Sequence, residues 1–263
     1  MKKLFTILVC GSLIAMFSCT KPSGTEVTQY FDVPSYYDQL YVSDGMEIVV
    51  TDKVDEIVIT ADENVMNTVK VECSGGKLRI YRKDFSVFRL MKAKVQLPYN
   101  EKLREVEATL YASFETPYSF EFADRTVKLD ASSFADISVK YIMAKDLTIK
   151  ASNNSDIHAD VDINNLVDLT LDNSDAELTG STENLKLKMN NKSELIKHWG
   201  NGGYNFDCAY CYGSMYGKCK AYLHCYDDLA VKLSNESILY YTGDPDYDES
   251  EWDDTSALVC DNK

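Results

Sequence analysis

The sequence predicts an all-β protein whose N-terminal antiparallel strands lead into a parallel β-helix-like solenoid with coils of about 20 residues. Three observations carry that reading. Through the first hundred residues apolar side chains recur with a period of two, the strand period, rather than 3.6. From about residue 103 a unit of strand, polar turn and strand repeats along the chain. Each unit carries Asn, Ser or Asp where the chain must turn, and Asn tolerates the left-handed conformation such turns need.

The chain opens with Lys2 and Lys3, an apolar run from Leu4 to Phe17, and Ser18-Cys19. A basic start, a short apolar stretch and a small residue before the cut define a secretory signal, here residues 1–18. Cysteine directly after the cut resembles a bacterial lipobox, so Cys19 is the expected lipidation site. Met16 and Phe17 depart from the strict lipobox pattern, and plain secretion is the alternative. Acyl chains on Cys19 suffice for stable anchoring, and residues 19–29, with Pro22 and Gly24, form the tether. The expected location is the cell envelope, anchored by lipid at the outer membrane. Thr20-Lys-Pro-Ser-Gly-Thr25 contains no acidic run of the kind that resembles a surface-export signal, which leans toward the periplasmic leaflet and leaves the leaflet open. No later apolar run is long enough to span a bilayer. The net charge is −15, and removal of Lys2 and Lys3 with the signal makes it more negative. Such a surface repels phosphate backbones, which excludes nucleic acid as a partner and leaves the acyl group as the membrane contact.

Residues 30–102 read as an antiparallel β unit. Met46, Ile48 and Val50 alternate along one strand, Ile57 and Ile59 along the next, and Val69 and Val71 along a third. Val69–Cys73 and Leu78–Tyr81 are joined through Ser74-Gly75-Gly76-Lys77, where glycine supplies the positive φ of a tight hairpin. Pro98 ends the strand Val95–Leu97, and only Ala61–Met66 hints at a helical turn.

Residues 103–245 are the solenoid, one continuous fold with the unit before it. Val127-Lys-Leu129-Asp-Ala131-Ser132 with Asp136-Ile137 matches Leu147-Thr-Ile149-Lys-Ala151-Ser152 with Asp156-Ile157 at a constant offset of 20. Further copies begin at Leu169, Leu185 and Leu229, and Phe206-Asp-Cys208 is a degenerate copy carrying an insertion. The apolar members point inward and stack on the next coil, while Lys128, Lys150, Lys186, Lys188 and Lys232 point outward. Asn153, Asn173, Asn190 and Asn235 are the expected turn residues. Residues 246–263 form an acidic C-terminal tail.

The arrangement Phe31-Asp-Val33, Gly45-Met-Glu-Ile48, Ile57-Val-Ile59-Thr-Ala61 and Gly76-Lys-Leu78-Arg-Ile80, closed by Ser237-Ile-Leu-Tyr-Tyr241-Thr-Gly243-Asp-Pro245, resembles the head GIN domain family of auto-transporter adhesins. The resemblance covers roughly residues 30–245. The turns depart from the family's Ser-Gly-rich pattern, reading Ala-Ser-Ser and Met-Asn-Asn instead. What the resemblance implies is a β-helix-like solenoid in an exported protein of Gram-negative bacteria, with adhesion as its proposed role and no catalytic residue to carry over.

The residues point to binding rather than catalysis. A polysaccharide lyase needs cationic groups beside carboxylates, yet the only arginine after Arg104 is Arg125. His158, His198 and His224 are scattered without metal-ligand spacing, so neither a metal nor another cofactor is expected. Five acids, Asp136, Asp156, Glu177, Glu194 and Glu236, recur just before the second strand of each unit and are expected to stack, either as a solvated stripe or as a ridge for a cation or glycan. The tail series Asp244, Asp246, Asp248, Glu249 and Glu251 departs from a calcium loop, because Gly is missing at the sixth position and Thr255 stands at the twelfth. Tyrosines crowd the last units; Tyr210, Tyr212, Tyr216 and Tyr226 are candidate contacts for glycan or protein, against the alternative that such rings cap the solenoid end. Cys208, Cys211, Cys219 and Cys225 are candidate disulfides of undetermined pairing, with buried thiols or a metal site as alternatives. The function expected is therefore a non-enzymatic envelope lipoprotein that presents a repetitive β surface to a glycan or envelope protein. A periplasm-facing structural or assembly role is the alternative.

Overall fold

The computed structural model describes residues 23–83, 91–197, 199–200 and 203–262. Cys19 and His198 lie outside these residues.

The chain winds into an all-β solenoid of about eight turns. Seven strands and one helical turn open it: β1 (Glu26–Phe31), β2 (Gln39–Val42), β3 (Met46–Thr51), β4 (Ile57–Asp62), α1 (Glu63–Met66), β5 (Val69–Ser74), β6 (Lys77–Arg82) and β7 (Ala93–Pro98). The antiparallel pairs are β1 with β4, β5 with β6, and β4 with β7. Asp62 starts α1 by accepting from the Asn64 N–H at 3.0 Å, the ordinary N-cap bond. Within this unit β2 and β3 run parallel to later strands, β8 (Glu105–Thr109) and β9 (Ser113–Ser132), with Leu40 opposite Val106 and Ile48 opposite Phe114. The residues that precede the repeat thus supply a first coil themselves. The remaining antiparallel strands fold beside it.

The coils that follow are long strands, β10 (Asp136–Ser152), β11 (Asp156–Asp172) and β12 (Asp175–Asn190), then a coil divided between the short β13 (Glu194–Leu195) and β16 (Phe206–Tyr216), and then β17 (Lys220–Ser234). All pair in parallel and bend where the register slips, as between Val139 and Ile142. Leu129, Ile149, Leu169 and Leu187 stack as one inward column, each essentially inaccessible to solvent. Burying such a side chain contributes roughly 1.5–3 kcal/mol. The lysines between them face out.

Between coils the chain turns through two consecutive left-handed residues: Ser133 and Phe134, Asn153 and Asn154, Asn191 and Lys192, Asn235 and Glu236. Asn173 turns alone, which shortens that coil by a residue. Asn191, and not the expected Asn190, holds the positive φ, since Asn190 still pairs as the last residue of β12. The turns stack too: the Asn153 N–H donates to the Asp172 carbonyl at 3.0 Å and the Asn154 N–H to the Asn173 carbonyl at 2.7 Å. Just inside them runs a buried serine column. The backbone N–H groups of Ala135, Ser155 and Ser174 donate to the hydroxyls of Ser155, Ser174 and Ser193 at 3.1, 3.1 and 3.2 Å. Satisfying a buried N–H in this way removes a cost of about 1–3 kcal/mol at each coil.

Two sequence expectations change. Phe206–Cys208 stacks on Gly180–Thr182 at the coil's corner, and Cys211-Tyr-Gly213-Ser-Met215 takes the place of Leu185-Lys-Leu187-Lys-Met189. Glycine at position 213 breaks the apolar alternation, which hid this copy in the sequence. The excursion before it forms a hairpin of β14 (Trp199–Gly200) and β15 (Gly203–Tyr204). The acidic tail also joins the solenoid. Beyond β18 (Ile238–Thr242), the strands β19 (Glu251–Trp252) and β20 (Ala257–Cys260) pair in parallel with β17 and β18 and build another coil. Its turn follows the same rule, with the Ser237 N–H donating to the Ser256 hydroxyl at 3.1 Å.

Candidate functional site

On β16 alternation sends Tyr210, Tyr212 and Tyr216 outward, while Cys211 and Met215 enter the core. Tyr226 stands on the corner of β17, its ring 6.0 Å from His224. All four candidate rings are exposed, at 38%, 38%, 54% and 49% in sequence order, which sets them apart from rings spent on the core. The structure brings only Tyr210 and Tyr212 together. They line a groove of about 470 Å³ with Asp228, Asp246, Asp248 and Glu249; Tyr216 and Tyr226 lie outside it.

The last coil fixes the groove's acidic wall. The Asp246 N–H donates to the Asp227 carbonyl, and its own carbonyl accepts from the Leu229 N–H, both at 2.7 Å. The Asp246 carboxylate accepts from the Asp248 N–H at 3.0 Å. Among the described residues no lysine or arginine lines the groove. The Asp227 carboxylate, with burial and a hydrogen bond, pushes the Tyr210 phenol above its ordinary range, so that ring stays neutral. A surface with flat neutral rings beside unpaired carboxylates attracts cations and stacks planar groups.

Other tyrosines hold structure. Tyr222 and Tyr240 stack on the outer face of successive coils with centroids 4.8 Å apart, and Tyr204 from the hairpin meets Tyr222 edge-on at 5.6 Å. Lys197 lies over both Tyr204 and Tyr222, at 5.3 and 5.7 Å, and the Tyr204 hydroxyl donates to Asp261 at 2.7 Å. These rings fasten the hairpin and the final coil to the outer sheet face, instead of covering the solenoid end.

The acidic column exists with different members. Asp136, Asp156, Asp175 and Glu194 are in register, and Lys220 ends the series. Glu177 faces His158 instead, with His158 Nδ1 2.9 Å from its carboxylate, and Glu236 sits in a turn 3.1 Å from Lys218. The shortened Asn173 turn moved the register, so an offset of 19 from Asp156 would have found Asp175. Burial is the leading cause that raises all four carboxyls above the usual range. Among the described residues no group of three or more His, Cys, Asp or Glu side chains is placed to hold a metal.

Among the described residues the cysteines are free thiols, with no disulfide between them. Cys208, Cys211, Cys219 and Cys225 all point inward and are buried, because their positions continue apolar columns or, for Cys219, the serine column. Cys219 donates to the Tyr216 carbonyl at 3.2 Å, as Ser193 and Ser237 do to the ends of their own strands. Burial pushes the Cys219 thiol up, and contacts with neighbouring thiols together with burial push up Cys208 and Cys225, which leaves them poor nucleophiles. His158 is engaged by Glu177, and His224 Nδ1 lies 2.9 Å from the Thr242 hydroxyl.

A stack of parallel coils whose apolar columns face inward defines a parallel β-solenoid. Residues 36–245 match the family described as "Putative auto-transporter adhesin, head GIN domain", and the chain belongs to that family. Solved structures share the fold. An adhesin-named protein from Parabacteroides merdae superposes with a TM-score of 0.70 at 15% identity, over 90% of this chain and 97% of its own. A protein from Parabacteroides distasonis named as lipid binding gives 0.71 at 15% identity, over 91% and 98%. One from Bacteroides fragilis, also named as an adhesin, gives 0.53 at 12% identity, over 91% and 98%. No curated protein matches the sequence.

Proposed function

We propose that the protein is a non-enzymatic adhesin of the bacterial envelope, lipid-anchored at the outer membrane through Cys19, whose groove at Tyr210 and Tyr212 takes a basic segment of a partner protein. The observation that carries the reading is the groove's composition: two exposed rings face Asp228, Asp246, Asp248 and Glu249 with no cation among them. Lysine and arginine side chains satisfy both halves of such a surface, the charge on the carboxylates and the stem or guanidinium plane on the rings. An acidic glycan would be repelled. Membership of an adhesin-named family and a fold shared with adhesin-named structures support a binding role.

Beads coated with the protein should adhere to immobilised bacterial envelope preparations, and less so with Tyr210→Ala/Tyr212→Ala protein. Protease treatment of the preparation should abolish the part of the adhesion that depends on Tyr210 and Tyr212, and periodate should spare that part; the reverse pattern overturns the protein partner of the groove in favour of glycan. Anchoring is tested separately. Cys19→Ala should move the protein to the soluble fraction, and its retention on membranes at high salt rules out the lipid anchor.

A further inference from the structure

A second concavity, larger than the groove, lies at the other end of the molecule. It occupies about 790 Å³ between the loop after β7, the segment before β2 and the middle of β9. Ligand pockets run to roughly 300–1,000 Å³. Its walls include Tyr36, Tyr99, Glu101, Lys102, Glu121 and Arg125.

We propose that this cleft is a binding site for a neutral glycan, stacked on the rings of Tyr99 and Tyr36 and held through its hydroxyls by the charged side chains around them.

The rings come first. Tyr36 is 53% exposed and Tyr99 44%, although each is fixed in place. Tyr99 packs on Tyr118 with centroids 4.6 Å apart, and the Tyr118 hydroxyl accepts from the Asp52 N–H at 3.0 Å, which secures the platform from below. On the other side, Arg104 spans Asp38 at 2.8 Å and Glu105 at 2.9 Å. That pins Asp38, whose carboxylate beside Tyr36 pushes its phenol above the ordinary range. A rigid ring offers contact area at low entropic cost, and the C–H face of a pyranose is its apolar complement.

The polar groups come second. Glu101, Lys102 and Glu121 form no ion pair among the described residues, and Arg125 reaches only its own neighbour Asp124, at 3.8 Å. Lys102 lies 5.9 Å from the Tyr36 ring. Carboxylates accept from sugar hydroxyls and the two cations donate to them, so one ligand type uses both signs of charge. An acyl chain would strand those charges against hydrocarbon, at a cost of several kcal/mol. A polyanion meets more carboxylates than cations in the cleft and a chain of net charge −15 around it. Neutral hydroxylated ligands suffer neither penalty.

The test uses the mature chain from residue 19 on a printed array of neutral gluco-, manno-, galacto- and N-acetylhexosamine oligosaccharides beside uronate and sulfated ones, with hits measured by calorimetry. A neutral oligosaccharide should bind. Tyr36→Ala and Tyr99→Ala should each weaken it at least tenfold, whereas Tyr99→Phe, which keeps the ring, and Tyr210→Ala/Tyr212→Ala should leave it within twofold. Thermal unfolding of Tyr36→Ala at the wild-type temperature shows that the loss is not misfolding. The proposal is overturned by binding confined to acidic glycans, by no binding at millimolar sugar, or by hits that survive both tyrosine-to-alanine changes. It stands or falls independently of the groove, whose double variant is the control.

Discussion

Gly213→Ala tests the logic of the coil and its link to the candidate groove. Gly213 sits on β16 directly over Leu187 of the preceding coil, at φ +138°. A Cβ built there would lie 1.9 Å from the Leu187 carbonyl oxygen, 2.8 Å from its carbon and 3.0 Å from its nitrogen. Ordinary carbon–oxygen contact is about 3.3 Å, so the coils must separate locally by about 1.4 Å. Leu187 cannot yield alone, because it is paired in register with Leu169 on its other side. Two ladder hydrogen bonds at about 1 kcal/mol each and a backbone strain of about 1–3 kcal/mol place the destabilisation at about 3–5 kcal/mol. Gly75 provides the comparison: its φ is +59° and nothing lies within 4 Å of an added Cβ, so Gly75→Ala should cost only about 1–2 kcal/mol. Denaturant midpoints followed by circular dichroism measure both, and hydrogen exchange of β12 and β16 locates the opening. Equal losses for the two variants would refute the stacking argument. Because Tyr212 adjoins Gly213, the same change should also weaken bead adhesion.

Three further outcomes follow from the coil's columns. Ile149→Asp places a charge in a column closed to solvent and should cost about 3–5 kcal/mol, against well under about 1 kcal/mol for the outward Lys150→Asp; equal denaturant midpoints would reverse the inward and outward assignment. Ser174→Ala removes the acceptor for the Ser155 N–H and should cost about 1–3 kcal/mol, while Cys219→Ser, which restores the residue usual at that place, should be neutral or stabilising in the same assay. The acidic column gives a pH dependence. Burial raises the carboxyls of Asp136, Asp156, Asp175 and Glu194 above their usual values of 3.8 and 4.5, so the folded chain holds protons the unfolded chain has released. Their contribution to stability is full below about pH 4 and declines as the pH rises through the raised values. Asp156→Asn should flatten the fall of melting temperature above that pH, and an unchanged slope counts against the column.

Much of this protein was legible in the chain. Alternation in Leu-x-Leu-x-Ala units, a nearly constant offset and Asn at the turns determined a parallel solenoid, because identical coils can bury their apolar faces only by stacking in register. The inward fate of Ile149 and Leu169, and the outward fate of Lys150, followed from strand geometry alone. Other features depended on small differences of register and on contacts between distant segments. One residue fewer at Asn173 put Asp175 into the acidic column and turned Glu177 toward His158, a shift that the near-repeat concealed. Cys219 read as a disulfide candidate until its place in the serine column showed it to be a hydroxyl substitute. The tail read as an acidic segment beyond the solenoid because Asp and Glu dominate it, yet its backbone hydrogen bonds to β17 and β18 build a coil with few apolar residues. The cleft at Tyr36 and Tyr99 left no local signal. Its rings and charges come from three segments far apart in sequence, and only the docking of the N-terminal strands against the first long coil sets them around one space.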